Sequence, residues 1–261
     1  MFVPRFLSAL CAVLTLGSAP PPACREDMRY RVSTDGRQPL PVGILTGGDN
    51  VGYGTGVLIG ECLVLSAKHV AGQISDPVGR RMMFLVPIPG RQAARSPATI
   101  VLAGDFDTRI GVTPYRSNDW MLIRLDRCLG RTLGYMRLDP RPPSRHSGVY
   151  HGSFPIESAG FPADRPLQDG ATVDPQCQLL QESRTLMFND CRGTYGSSGG
   201  PIFVRRSDRD GVSLVVLGIQ TAGADIGLAE QCQPVAKIAT PVAALLPAIA
   251  PYLRQDDRGV T

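Results

Sequence analysis

Lysine is almost missing from this chain: of its 27 basic residues only Lys68 and Lys237 are lysine. Arginine supplies the rest, and with the abundant alanine, glycine and proline this reads as the composition of a GC-rich bacterial genome. The net charge is only +4, and the arginines are scattered with no stripe of interleaved basic and aromatic residues. Nucleic acid is therefore not an expected partner. Aromatics make up 6% of the chain, so the core must be built from Val, Leu, Ile and Ala. Histidines number three and no Cys-x-x-Cys pair occurs, which argues against zinc; no metal and no cofactor is expected. No apolar run is long enough to cross a bilayer as a helix. No alternation of strand and helix patterns is visible either, which excludes a parallel α/β sheet.

What is present points outward from the cell. Arg5 is followed by an apolar stretch from Phe6 to Leu16 and by Gly17-Ser18-Ala19, the order of a secretory leader. Residues 1–23 are expected to be removed, with the cut after Ala19 or Ala23, and the mature protein to be secreted or periplasmic. Cys24 could carry a lipid anchor, but Pro21-Pro22-Ala23 before it is a poor lipoprotein signature. Cys11 lies in the leader, leaving Cys24, Cys62, Cys128, Cys177, Cys191 and Cys232, an even number suited to disulfides. Glycines (29) and prolines (23) are spread along the chain, as many short strands joined by turns require.

The most informative stretch is Gly193-Thr194-Tyr195-Gly196-Ser197-Ser198-Gly199-Gly200-Pro201. Glycines at 196, 199 and 200 permit a tight turn that another molecule can approach closely. Such a turn can expose the Ser198 hydroxyl and converge the amides of Gly196 and Ser198 on one point, the needs of acyl transfer. Taken alone it is equally a glycine-rich β-turn. Upstream, Gly54 to Ile59 and Cys62 to Ala67 flank Gly60-Glu61 and read as a β-hairpin that delivers Lys68-His69-Val70 at a strand end. His69 there is either a base or a satisfied structural residue. Asp119 leads straight into Trp120-Met121-Leu122-Ile123, so it is expected to be buried and partnered, by backbone amides or by a histidine. Residues 25–50 read as irregular, either a pro-segment or a strand laid over the domain. The prolines around 140–143 mark a connection between two halves, and Thr240-Pro241 opens a terminal helix.

In chain order, Leu65-Ser66-Ala67-Lys68-His69-Val70, Asp119-Trp120-Met121-Leu122 and Gly196-Ser197-Ser198-Gly199-Gly200-Pro201 resemble the three motifs of the trypsin-like (chymotrypsin-fold) serine peptidases. Within that group the sequence is most similar to secreted bacterial members related to glutamyl endopeptidases, which share Asp119-Trp120 and Asp190-Cys191. The resemblance covers about Pro41 to Leu253. It implies an all-β fold of two six-stranded antiparallel barrels packed together with a C-terminal α-helix. The expected divisions are a peptidase domain over 24–255, with barrels at about 40–135 and 145–240, a helix at about 241–254, and a tail at 256–261. It also implies a serine endopeptidase acting on peptides or proteins as a monomer. His69, Asp119 and Ser198 would be its catalytic residues, and Gly196 and Ser198 its oxyanion hole. Arg192, Gly193, Tyr195, Gln220, Thr221 and Gly223 would line the substrate cleft.

Three departures stand out. Ser197 occupies the position at which trypsin-like zymogens carry an aspartate that pairs with a newly cut N-terminus, so activation by that ion pair is not expected. Lys68 and Val70 flank His69 in place of the usual Ala and Cys. Ala222 replaces a bulky aromatic, opening that side of the cleft. Arg192 falls near the pocket base, where a guanidinium would favour acidic side chains; the alternative has it facing solvent on a displaced loop. Gln220 stands where glutamyl endopeptidases use a histidine. For the cysteines the expected pairs are Cys177–Cys191, across one hairpin, then Cys62–Cys128, whose strands should be neighbours, and by elimination Cys24–Cys232. Two further readings are a catalytically inactive homologue that binds proteins and a periplasmic quality-control peptidase, for which no peptide-binding domain follows residue 255.

Overall fold

A computed structural model describes residues 27–32, 39–47, 53–106, 118–140, 150–209, 211–223 and 236–256. Its backbone is dominated by short strands. The first six long ones are β2 (Val42–Gly47), β3 (Tyr53–Leu58), β4 (Leu63–Ser66), β5 (Arg81–Val86), β6 (Ala94–Ala103) and β7 (Met121–Leu125). They close into an antiparallel barrel in the order β2-β3-β4-β7-β6-β5. The Gly60-Glu61 hairpin joins β3 to β4 as expected, with Leu58 opposite Val64. Within residues 25–50, expected to be a pro-segment or a strand laid over the domain, Val42–Gly47 form the barrel strand β2, whose Val42 to Leu45 are buried between β3 and β5. Its glycines and flanking prolines mask a strand that tertiary pairing imposes.

The second half holds β9 (Tyr150–Gly160), β10 (Thr172–Glu182), β11 (Met187–Asn189), β12 (Pro201–Asp208), β13 (Gly211–Gly223) and β14 (Lys237–Pro241). Pairing runs β10-β11-β14-β13-β12-β9, and β9 pairs back to β10, closing a second six-stranded antiparallel barrel. Two short strands are appended to it. β1 (Tyr30–Arg31) adds to β10, and β8 (Arg137–Leu138), following the four-residue helix α1 (Gly130–Leu133), runs parallel to β13.

Period-two alternation explains why the barrels pack together. In β7, Met121, Ile123 and Leu125 fill the first barrel, whereas Leu122 points into a larger cluster with Phe161, Phe203 and Ile219 of the second. Leu63 and Leu65 of β4 join that shared cluster while Val64 turns inward. Each such side chain contributes roughly 1.5–3 kcal/mol on burial. Helix α2 (Val242–Asp256) lays Val242, Leu245 and Ile249 on the same cluster, at helical spacing, and runs through Pro247 and Pro251. Its last residue, Asp256, is buried and accepts the amide of Cys62 at 3.2 Å. Disulfides join Cys62 to Cys128 and Cys177 to Cys191, as expected. Cys24 and Cys232 lie outside the described residues, as do the leader and residues 257–261 of the expected 256–261 tail, whose Asp256 instead ends α2. No helix among the described residues is long and apolar enough to cross a membrane.

One buried group carries a stability prediction. Glu182, at the end of β10, is buried, and its Oε2 has no hydrogen-bond partner among the described residues. Burial pushes its carboxyl from the ordinary 4.5 up to about 7. Between those two values the unfolded chain ionises while the folded chain keeps its proton, so stability falls as pH rises through this window and levels off above it. Glu182→Gln is expected to remove that fall, making the protein about 1–3 kcal/mol more stable than the parent at pH 8 and nearly equal to it at about pH 4. Urea unfolding at the two pH values measures the difference.

Candidate active site

His69 sits where the first barrel's β4 ends. Ala67 is still extended, and Lys68–Ala71 then wind into a single 3₁₀ turn. Asp119 immediately precedes β7, the neighbour of β4, with Ser66 opposite Met121. This pairing places the two side chains together. Asp119 is completely buried and accepts twice from His69: its Oδ1 takes the backbone amide at 2.9 Å and its Oδ2 the ring Nδ1 at 2.7 Å. A carboxylate can only accept, so Nδ1 carries the ring proton and Nε2 is the basic nitrogen. The imidazole itself is about one-quarter exposed.

Lys68, the odd neighbour of His69, turns away from the site. Its buried ammonium donates to the Gly104 carbonyl at 2.9 Å, and the Gly104 amide donates to the carbonyl of Trp120. Lysine here pins the histidine turn to the strand entry that carries Asp119.

The nucleophile candidate arrives from the second barrel, in the turn between β11 and β12. Gly196 and Gly199 hold φ of +89° and +83°, conformations that side chains disfavour. Space alone would also forbid substitution. A Cβ on Gly199 would collide with the Thr55 carbonyl and the Ser66 hydroxyl, and one on Gly196 with the Phe161 carbonyl and the Tyr53 ring. Gly199 thus abuts Ala67, and Gly54 is wedged between Val70 and the Ser198 carbonyl, so the Ser198 turn lies directly against the His69 turn. The amides of Gly196 and Ser198 donate to no acceptor among the described residues. Two unengaged amides beside a hydroxyl can hold a developing oxyanion, and a neutral imidazole can take a proton.

Thr55, from the first barrel, is the residue that the sequence reading overlooks. Its amide donates to the Ser198 carbonyl at 2.7 Å. Its hydroxyl donates to the Gly196 carbonyl at 2.7 Å and accepts the Phe161 amide at 3.1 Å. Fully buried on β3, it ties the Ser198 turn to the first barrel by two bonds and holds Phe161 by a third. Its position in Gly54-Thr55-Gly56 is the only sequence hint, a small polar residue where two backbones must approach. Thr55→Val would keep the shape but leave the Phe161 amide and Gly196 carbonyl without that partner. It is expected to cost about 1–3 kcal/mol of stability and to slow reaction with a fluorophosphonate about tenfold or more, measured by thermal unfolding and labelling rate.

The proposed cleft residues separate into two groups. Arg192 and Gly193 line a cavity of about 20 Å³ behind the Ser198 turn, together with Gln220. Arg192 is half-buried, and its amide donates to buried Asp174 at 2.8 Å. Tyr195 is 63% exposed and meets the edge of Tyr53 at 5.6 Å between ring centres. Gln220 spans the amide of Asn189 and the carbonyl of Ala222. Thr221 is buried and its hydroxyl donates to the Ile238 carbonyl at 3.2 Å, so its side chain faces the core. Gly223 pairs with Lys237 of β14. β12 ends its pairing at Ile219, and beyond the bulge at Thr221, Ala222 and Gly223 pair with Ile238 and Lys237 of β14. No group of three or more metal-ligating side chains occurs among the described residues.

The family model described as Trypsin matches residues 31–249. The solved structure of a Glu endopeptidase in complex with MPD shares the fold, with a TM-score of 0.60 and 17% sequence identity over 88% of this chain and 98% of that one. No curated protein sequence matches. A family match that begins in β1, runs through both barrels and reaches the terminal helix decides the matter: the chain belongs to the trypsin family of serine endopeptidases.

Proposed function

We propose that the protein is an exported serine endopeptidase that cleaves peptide bonds through His69, Asp119 and Ser198 by way of an acyl-enzyme. The observation that carries this is the His69–Asp119 pair, Nδ1 to Oδ2 at 2.7 Å, in a turn packed against the Ser198 turn. Ser198 Oγ attacks the substrate carbonyl while His69 Nε2 takes its proton and returns it to the leaving amine. Asp119 holds the imidazole in the required tautomer and stabilises the imidazolium. The amides of Gly196 and Ser198 receive the oxyanion, where one donor is worth about 3–4 kcal/mol. Water then releases the acyl group by the same steps.

Ala222 and Gly223, beside β14, suit pairing with an extended substrate backbone, with Tyr195 on the exposed rim of the cleft. Export is supported by the leader-like order of residues 1–23 and by two disulfides. A fluorophosphonate probe followed by peptide mapping tests the reading, alongside a mixed peptide library read by mass spectrometry. The expected result is one adduct, on Ser198, together with library cleavage. A folded protein that takes no label and cuts no peptide would refute the proposal.

A further inference from the structure

The cavity behind the Ser198 turn receives one side chain from far away in sequence. Besides Arg192, Gly193, Ser197 and Gln220 it is lined by Arg29, from the segment ahead of β1. That segment is docked along β10, with Tyr30 opposite Val173, Arg31 opposite Thr172, and the Val32 amide on the Ala171 carbonyl. The Arg29 side chain is only 8% exposed. Its guanidinium engages two carboxylates at once. Nη1 and Nη2 donate to the two oxygens of Asp164 at 3.2 and 2.6 Å, and Nε and Nη2 to those of Asp27 at 2.9 and 2.8 Å. Arg165 also donates to Asp27 at 2.8 Å. Paired forks of this kind fix geometry as well as charge.

Asp164 hands that order on to the nucleophile turn. Its Oδ1 accepts the hydroxyl of Thr194 at 3.2 Å, and one residue earlier the Ala163 amide donates to the Tyr195 carbonyl at 2.8 Å. Thr194 and Tyr195 lead directly into Gly196, whose own backbone rests against the Phe161 carbonyl. Arg29 therefore reaches the oxyanion amides through Asp164 and one side of the turn, while Thr55 holds the other side. Ser197, the residue before Ser198, is neutral and cannot anchor a cation there.

We propose that Arg29 is a positioning residue, the internal cation that orders the Gly193–Gly199 turn, so that docking of residues 27–32 sets the competent oxyanion geometry. This rests on the peptidase reading above. Removing the guanidinium leaves Asp27 and Asp164 facing each other's charge and releases Thr194, which misaligns the turn without touching His69, Asp119 or Ser198.

The test compares the full chain with Arg29→Ala and Thr194→Val, measuring kcat and KM on a cleaved peptide and the rate of fluorophosphonate labelling. In Arg29→Ala, kcat and labelling are expected to fall together by about 10- to 100-fold with KM nearly unchanged. Millimolar ethylguanidinium, which can re-enter the vacated site, should restore a good part of the loss in that variant and none in the parent. Thr194→Val cuts only the hydroxyl link to Asp164 and should lower kcat in the same direction by a smaller factor. Parental kcat in Arg29→Ala would overturn the proposal. So would a loss that ethylguanidinium does not relieve. Should Arg29→Ala not fold, Thr194→Val decides: parental kcat there overturns the proposal. A parent chain that neither cleaves nor takes label would instead refute the peptidase reading, and the proposal with it.

Discussion

Ser198→Ala is expected to lower kcat on the order of 10⁶-fold, equivalent to about 8 kcal/mol of transition-state stabilisation. Folding should be unaffected. Among the described residues the Ser198 hydroxyl makes no hydrogen bond in the resting protein, and what anchors the residue is its backbone carbonyl on the Thr55 amide, which alanine keeps. Activity and stability should therefore separate cleanly, with a melting temperature close to the parent's and KM little changed. A residual acceleration of about 10³–10⁴ over water is expected from the oxyanion amides and substrate binding alone. Steady-state cleavage of one peptide by both proteins, with thermal unfolding alongside, measures this. A variant that cleaves at the parental rate would place the nucleophile elsewhere.

Asp119→Asn should cost about 10⁴-fold in kcat at neutral pH. Both carboxylate oxygens of Asp119 act as acceptors, one for the His69 amide and one for Nδ1. Asparagine keeps the volume in this fully buried site but has a single acceptor oxygen. If that oxygen serves the His69 amide, the side-chain NH₂ faces Nδ1, which must then become an acceptor. The ring proton moves to Nε2, and the base is lost while the packing survives. Fluorophosphonate labelling should fall in parallel with kcat. A drop of less than tenfold would mean that His69 does not depend on Asp119 for its tautomer.

Much of the candidate site was legible in the sequence because the proposed chemistry needs particular residues in particular local settings, and three such segments in order resemble the motifs of one family. Ser198 stands in a run of glycines that no packed strand would tolerate. His69 terminates a hairpin, and Asp119 opens an apolar strand, where an unpaired carboxylate would be costly. The pairing of Cys177 with Cys191 followed from a hairpin that the structure contains, with Leu179 opposite Asn189. Thr55 and Arg29 were not legible. Each acts across more than a hundred residues of sequence, Thr55 on Gly196 and Arg29 on Asp164, and neither sits in a pattern of its own. A lone threonine between glycines, or an arginine among so many, acquires meaning only once a distant backbone has been brought to it.

The sequence by itself carried the strand-and-turn pattern of an all-β chain and three short motifs whose resemblance to the trypsin-like peptidases nominated His69, Asp119 and Ser198. The strands follow from local rules of alternation and turn residues, whereas the two-barrel arrangement and the roles proposed for His69, Asp119 and Ser198 came from the resemblance. It did not determine the register of Val42–Gly47 between β3 and β5, that Lys68 turns inward to Gly104, or that Arg29 meets Asp164. Those were decided by the tertiary structure. Barrel closure fixes which strands pair and in what register, and burial obliges each polar group to find a partner wherever the fold supplies one. Which partner that is depends on contacts between distant segments, which no local pattern encodes.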